Sequence, residues 1–403
     1  MRVASRILRR TLRAGIVALV AALGADLSVA SAHVRAPLQI SRQGWLYAGG
    51  RIEPDQAGQP MVGQMYVEYQ IPARQTHPFP VVMIHGNLQS GANFTGTPDG
   101  REGWAQYFLR RGYAVYVVDQ PGRGRSAYNA ALGAQTPPTE KATEDRFTAP
   151  EKARLWPQAQ LHTQWQGRGV PGDPSFDAFY ASELPSVSSV AAMQALVRDA
   201  SAALLDRIGP AIVLVHSQAG LYPWSIAQAR PGLVRAIVAV EPSGPPVHDI
   251  QDIGPPDWFR DDPKTKPSGL GELPLQYDPP LEAGEELVFE RAGTAAGPGL
   301  ARCWAQREPA RKLAALGALP ILMITAEASY HAPFDDCTAA YLRQGGVRSL
   351  DHIHLAAMGI HGNGHMMMLE KNSDDIAKVI VDWLNRQPWN AAPAVLRRDS
   401  ARR

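Results

Sequence analysis

The sequence predicts an α/β fold: a mostly parallel central sheet, helices on both faces, and long inserted cap segments. Three observations lead there. Short, continuous apolar runs alternate with helix-like stretches along most of the chain. Such runs suit strands buried on both faces, as parallel strands are. Finally, 45% of the 403 residues are hydrophobic and 19% charged, enough to build a large core and too apolar for a disordered chain.

Gly44 to Ile52 and Met61 to Ile71 read as two N-terminal strands joined by a polar loop, forming an antiparallel edge. The buried strands are expected at Pro80 to Ile84, Tyr113 to Val118, Ala211 to Val215, Arg235 to Val240 and Ile321 to Thr325. Helices are expected at Gly103 to Arg111, Val187 to Ile208, Gln218 to Ala229 and Asp335 to Gln344. A last strand near Val347 to Ala357 and a helix at Ser373 to Asn385 close the series. Two long Pro- and Gly-rich stretches, 121–185 and 242–318, break the rhythm and read as caps inserted into one domain spanning 33–388. They contain Trp156, Trp165, Phe176, Phe179, Tyr180, Trp258 and Trp304. These rings either line an apolar acyl or aryl pocket or form small cores within the caps.

Arg2, Arg6, Arg9, Arg10 and Arg13 precede a short apolar run and small residues at Ala30 and Ala32, the pattern of a signal peptide over 1–32. The run is short for a membrane anchor. Arg9-Arg10 fits a twin-arginine signal poorly, so the general secretory route is expected. That segment carries five Arg and one Asp, so its removal takes the formal charge from +2 to −2. The tail, 389–403, reads as flexible and basic; its four Arg and one Asp leave about −5 on the body between. A nucleic-acid partner has no electrostatic support. The expected compartment is periplasmic or extracellular, with no membrane attachment after signal cleavage. The only two cysteines, Cys303 and Cys337, can pair there. Neither has metal-ligand spacing.

The strongest chemical signal is Val213-Leu214-Val215-His216-Ser217-Gln218-Ala219-Gly220, an apolar strand entering a serine flanked by small residues. This is the pattern of a nucleophile elbow, with Val215 and Ala219 where glycines usually stand. His85-Gly86-Asn87 follows another strand, where a loop supplies an oxyanion-hole amide; the backbone N–H groups of Asn87 and Gln218 are the candidates. Ser126 is a rival nucleophile, but Pro121 and two arginines intervene after the strand. Its loop suits a structural role, with Asp119 pairing to Arg123 or Arg125. A base is expected from His361-Gly362-Asn363-Gly364-His365, whose glycines favour a loop and oppose the helical spacing a two-histidine metal site needs. His352 and His354 share a strand face and read as structural. For the acid, Glu241 at a strand's C-terminal end and Glu327 after the seventh strand are equal candidates by position.

Further segments carry a resemblance: Thr97-Pro98-Asp99-Gly100-Arg101, Asp119-Gln120 with Gly122-Arg123-Gly124-Arg125-Ser126, His216-Ser217-Gln218, Val240-Glu241-Pro242, and His361-Gly362-Asn363 with His365-Met366-Met367-Met368. Over about 80–385 the chain resembles the atypical secreted bacterial esterases of the α/β-hydrolase superfamily. The resemblance implies an α/β-hydrolase fold, ester hydrolysis, and a triad of Ser217, Glu241 and His365, which separates Glu241 from Glu327. It makes His361 a loop-shaping residue, matches Cys337 to a family cysteine, and implies a small-molecule ester substrate, no cofactor or metal, and a possible homodimer. Adjacent cysteines that the family carries after its His-Gly are replaced here by Asn87-Leu88. The segment Ser243 to Ala318 is longer than in the family. The rival readings are another acyl hydrolase on the same triad (a thioesterase, amidase or carbon-carbon hydrolase), a non-catalytic extracytoplasmic binding protein, and a carbohydrate binder using exposed Trp.

Overall fold

A computed structural model describes residues 35–54 and 58–390. The expected signal peptide, and all but the first two residues of the expected basic tail, lie outside the described residues. Arg35–Leu38 carry no regular secondary structure, and the described residues from Gln39 to Asn390 form one compact unit.

The apolar runs assemble into one sheet of eight strands: β1 Ile40–Ile52, β2 Met61–Pro72, β3 Val81–Ile84, β4 Val115–Asp119, β5 Ala211–His216, β6 Val234–Val240, β7 Ile321–Thr325 and β8 Leu350–His354. Their spatial order is β1-β2-β4-β3-β5-β6-β7-β8. β1, β2 and β4 pair antiparallel; every other neighbouring pair is parallel. Each residue of β3, β5 and β7 is buried, which is why these strands read as unbroken apolar runs rather than alternations. The N-terminal pair forms the edge the sequence predicts.

Five helices cover the sheet: α1 Trp104–Arg110, α2 Val190–Ile208, α3 Pro223–Ala229, α4 Asp335–Gln344 and α5 Ser373–Asn385. α2 packs against β1, β2 and α3, while α1 and α5 pack against each other. Helix boundaries differ from expectation where side chains compete for the backbone. α2 starts three residues late because the Ser189 side chain accepts from Ala192 N–H and caps it. The helix expected at Gln218 to Ala229 divides into a 3₁₀ turn, Ser217–Leu221, and α3, which opens on Pro223, a residue suited to a first turn. The last strand is shorter than expected, since Leu355–Met358 coil into another 3₁₀ turn.

Residues 121–185 fold over the C-terminal end of the sheet and dock on the loops that leave it. Trp156 Nε1 donates to Ala328 O (3.0 Å), and the Thr163 amide donates to Gly362 O (2.9 Å). His162 is the central anchor: Nδ1 lies 3.0 Å from Glu151 and Nε2 lies 2.8 Å from Glu370. Glu370 also accepts from the Gly364 amide (2.9 Å) and Asn363 Nδ2 (2.7 Å), so this contact joins the insertion to the loop bearing His365. Residues 242–318 form small two-stranded sheets, the largest pairing His248–Gly254 with Trp258–Thr265. Cys303 in this stretch is bonded to Cys337 of α4 (Sγ–Sγ 2.01 Å), fastening it to the core.

Burial pulls the His162 imidazole down, but the hydrogen bonds to Glu151 and Glu370 prevail and lift it to about 9 from the usual 6.5. A folded-state value above the unfolded one stabilises the fold fully below pH 6.5, and this stabilisation disappears as pH rises through 9. In urea unfolding, wild type is expected to lose on the order of 3 kcal/mol across this window relative to His162→Gln. An advantage over the variant that is flat in pH, or grows with it, would contradict the assignment.

Candidate active site

Strand β5 delivers Ser217 at φ +58, a left-handed conformation that a non-glycine residue adopts only when its surroundings enforce it. The Ser217 carbonyl accepts from the Ser243 amide at 2.8 Å, tying the turn to the segment that follows β6. Two glycines make room. A Cβ on Gly86 would stand 2.9 Å from Ser217 Cβ, and one on Gly220 would meet Pro242 Cα at 2.4 Å. The close approach in this elbow therefore falls at Gly220, and the preceding Ala219 fits without it.

Glu241, at the end of β6, also has positive φ (+44) and is fully buried. Its Oε1 accepts from the Ala326 amide (2.8 Å), and its Oε2 from Ser329 Oγ (2.6 Å). The same Oε2 lies 2.5 Å from His365 Nδ1. On the other side of the ring, His365 Nε2 lies 3.2 Å from the Tyr330 hydroxyl, and Tyr330 lines the same pocket as Ser217. A continuous line results, Tyr330 Oη, His365 Nε2, His365 Nδ1, Glu241, with Ser217 in the pocket that Tyr330 lines. Phe147 stacks on the imidazole (5.6 Å between centroids), as does His331 (4.8 Å, 9° between planes).

Burial opposes charge on both members of the Glu241–His365 pair. It raises the carboxyl well above the usual range, with neighbouring Asp335 adding to the effect, and lowers the imidazole well below 6.5, helped by His216 and His331. The imidazole is thus held as the free base, the form able to take a proton. Burial also pushes the Tyr330 phenol up, so it keeps its hydrogen.

The loop after β3 is held from behind by Arg123, a residue only 2% exposed. Its Nη1 donates to Gly86 O (2.7 Å), the carbonyl of the peptide whose N–H belongs to Asn87. Its Nη2 donates to Gln120 Oε1 (2.9 Å) and Gln218 Oε1 (2.6 Å). One cation therefore orients both residues whose amides the sequence singles out. Burial pulls it down only to about 10, so it remains charged at neutral pH. Gln120 adds Nε2–H donation to His85 O (2.5 Å) and receives the Tyr222 hydroxyl (2.9 Å). The pairing expected for Asp119 goes to Arg125 (2.8 Å) and not to Arg123. Ser126 is buried and bonded to Asp119 O (2.6 Å) and the Tyr66 amide (2.6 Å), deep in its own loop.

Glu327 takes another position: it accepts from His361 Nδ1 (3.1 Å) and the Gly362 amide (2.9 Å). His352 and His354 do have a partner, Asp336. A pocket of about 300 Å³ opens over Ser217, lined also by Asn87, Gln218, Lys266, Tyr330 and His331. None of the seven cap aromatics lines it. Trp165 and Phe179 pack edge to face (5.5 Å), and Phe176 stacks on Tyr180 (5.8 Å), building a core within the insertion. Sequence reasoning missed Ser329, Tyr330 and His331; their one signal was their place just after β7. Among the described residues, two clusters bring three metal-ligating groups within 4.8 Å: Glu241/His331/His365 and Asp336/His352/His354. In the first, the ring nitrogens already serve hydrogen bonds, His365 Nδ1 to Glu241 and His331 Nδ1 to Asp335 (2.9 Å).

The chain belongs to the alpha/beta hydrolase family, whose model matches residues 81–379. It is 42% identical over 343 residues to a probable secreted lipase, phiG, of Fungal sp. (strain ATCC 74256), covering 85% of this chain and 89% of that one. A solved structure described as a novel bacterial esterase is also similar, with a TM-score of 0.55 and 26% identity over 87% of this chain and 97% of that one. With one relative fungal and the other bacterial, similarity alone assigns no kingdom to this protein.

Proposed function

We propose that the protein is an exported serine carboxylic-ester hydrolase. The observation that carries this reading is the line from Tyr330 through His365 to Glu241, which meets Ser217 on its strained strand-to-helix turn in one pocket. The similarity to proteins described as a lipase and an esterase supports it, and the description of the fungal relative as secreted agrees with export.

In the proposed reaction Ser217 Oγ attacks the ester carbonyl carbon while its proton passes to His365 Nε2. Glu241 holds the ring by Nδ1 and stabilises the imidazolium that forms. The negative charge on the carbonyl oxygen is received by the Asn87 and Gln218 amides, with the buried Arg123 cation behind them. His365 then protonates the departing alcohol, leaving an acyl group on Ser217. Water, deprotonated by the same imidazole, releases the acid. Tyr330 keeps the serine hydroxyl aligned with the base before substrate enters. The pocket's size favours short acyl groups over long chains.

Hydrolysis of p-nitrophenyl butyrate tests the reading. Ser217→Ala is expected to lose turnover by several orders of magnitude. The acid limb of wild-type kcat/KM reports His365, which must be neutral to act, and a depressed value places its midpoint below pH 6.5. Equal turnover by wild type and variant, or a midpoint above that value, would contradict the assignment. Arg123→Gln is expected to lower kcat about 100-fold with much less change in KM, and Arg123→Lys to restore only part, since the forked donor geometry is lost. Unchanged kcat in Arg123→Gln would remove this side chain from the account.

A further inference from the structure

Asp336, His352 and His354 form a cluster that the proposed reaction does not use. It lies where the edge strand β8 meets the first turn of α4. Asp336 Oδ1 stands 3.2 Å from His352 Nδ1 and 3.0 Å from His354 Nε2. The two rings lie on one strand face, 4.3 Å apart.

The hydrogen bonds around His352 decide what its Nδ1 can do. Thr325 Oγ1 gives its one hydrogen to Asp335 Oδ2 (2.7 Å), so it accepts from His352 Nε2 (2.8 Å). The neutral imidazole then bears its hydrogen on Nε2 and turns the Nδ1 lone pair toward a carboxylate oxygen. That lone pair facing a carboxylate oxygen is relieved by an added proton or by a metal cation, whereas His354 can fill its own gap to Asp336 with an Nε2–H. A divalent cation at this point would meet all three donor atoms at once. The pattern is also that of a metal-binding histidine, whose far nitrogen is fixed by a hydrogen bond leading to a carboxylate.

We infer that Asp336 Oδ1, His352 Nδ1 and His354 Nε2 form a surface site for a divalent transition-metal ion of the zinc type. Zinc takes nitrogen and carboxylate oxygen donors at about 2.0–2.2 Å, which places tetrahedral neighbours about 3.3 Å apart. The two separations at Asp336 need to widen by only a few tenths of an ångström. Two imidazoles and one carboxylate suit zinc better than calcium or magnesium, which prefer oxygen alone. The His352 side chain is 3% exposed, whereas those of His354 and Asp336 are 42% and 52% exposed. The ion therefore has a rigid inner ligand, two outer ones, and water to complete its shell. Bound there, it would clasp the exposed end of β8 to α4. This inference does not depend on the ester-hydrolase reading.

Isothermal titration of zinc chloride into mature, tag-free protein stripped with EDTA tests it, beside His354→Ala and Asp336→Asn. Both substituted side chains are open to solvent, and melting in EDTA checks that the variants fold. The expected result is one zinc per chain and a zinc-dependent rise in melting temperature, with binding weakened at least tenfold in each variant. Absence of saturable binding in wild type overturns the site. So does binding that both variants retain, which places the metal elsewhere.

Discussion

The contact between Glu241 Oε2 and His365 Nδ1 constrains the whole C-terminal edge of the sheet. A carboxyl group this deeply buried is costly unless its oxygens are filled. Ala326 and Ser329, from the loop after β7, supply two donors, and the imidazole supplies the third. β6 must therefore end in a positive-φ residue that turns the side chain toward that loop, and the chain beyond β8 must return with a histidine at one position. The buried ring of Glu370, His162, Asn363 and Gly364 sets that return, which makes the first insertion part of the site's support.

A second constraint lies across the pocket. Arg123 is a buried cation whose hydrogen bonds run to the carbonyl of Gly86 and the side-chain oxygens of Gln120 and Gln218. In a low-dielectric setting its field reaches the amides it orients, and its cost is accepted where negative charge would develop. The loop carrying Asn87-Leu88 is thus held from behind by a guanidinium, and Leu88 adopts the left-handed conformation (φ +60).

The sheet was legible because buried parallel strands leave continuous apolar runs, and β7, α4 and α5 have the bounds their patterns predict. Boundaries moved where a Ser cap or a Pro at a first turn outweighed apolar periodicity. Within the site, the Ser217 turn was legible by its flanking small residues, whereas His361 and His365 were both open as the base, and Glu241 and Glu327 were tied because spacing does not tell which carboxyl faces which histidine. The structure gives His365 to Glu241 and His361 to Glu327. Tyr330 and Arg123 were illegible as site residues, since their importance rests on contacts across long sequence separations. The cap aromatics could be read as pocket walls or as cap cores: Trp165 with Phe179 and Phe176 with Tyr180 form a core, as an insertion with that much chain needs apolar rings for its own stability, while Trp156 packs on Tyr330 and Trp304 lines a second pocket.

The most direct test of the account is fluorophosphonate labelling of the protein followed by peptide mass mapping, because the reagent reacts with a serine only where a base and an oxyanion site activate it. The account predicts one adduct per chain on Ser217, and its near-complete loss in His365→Ala. An unlabelled wild-type protein, or an adduct on Ser126 instead, would contradict it.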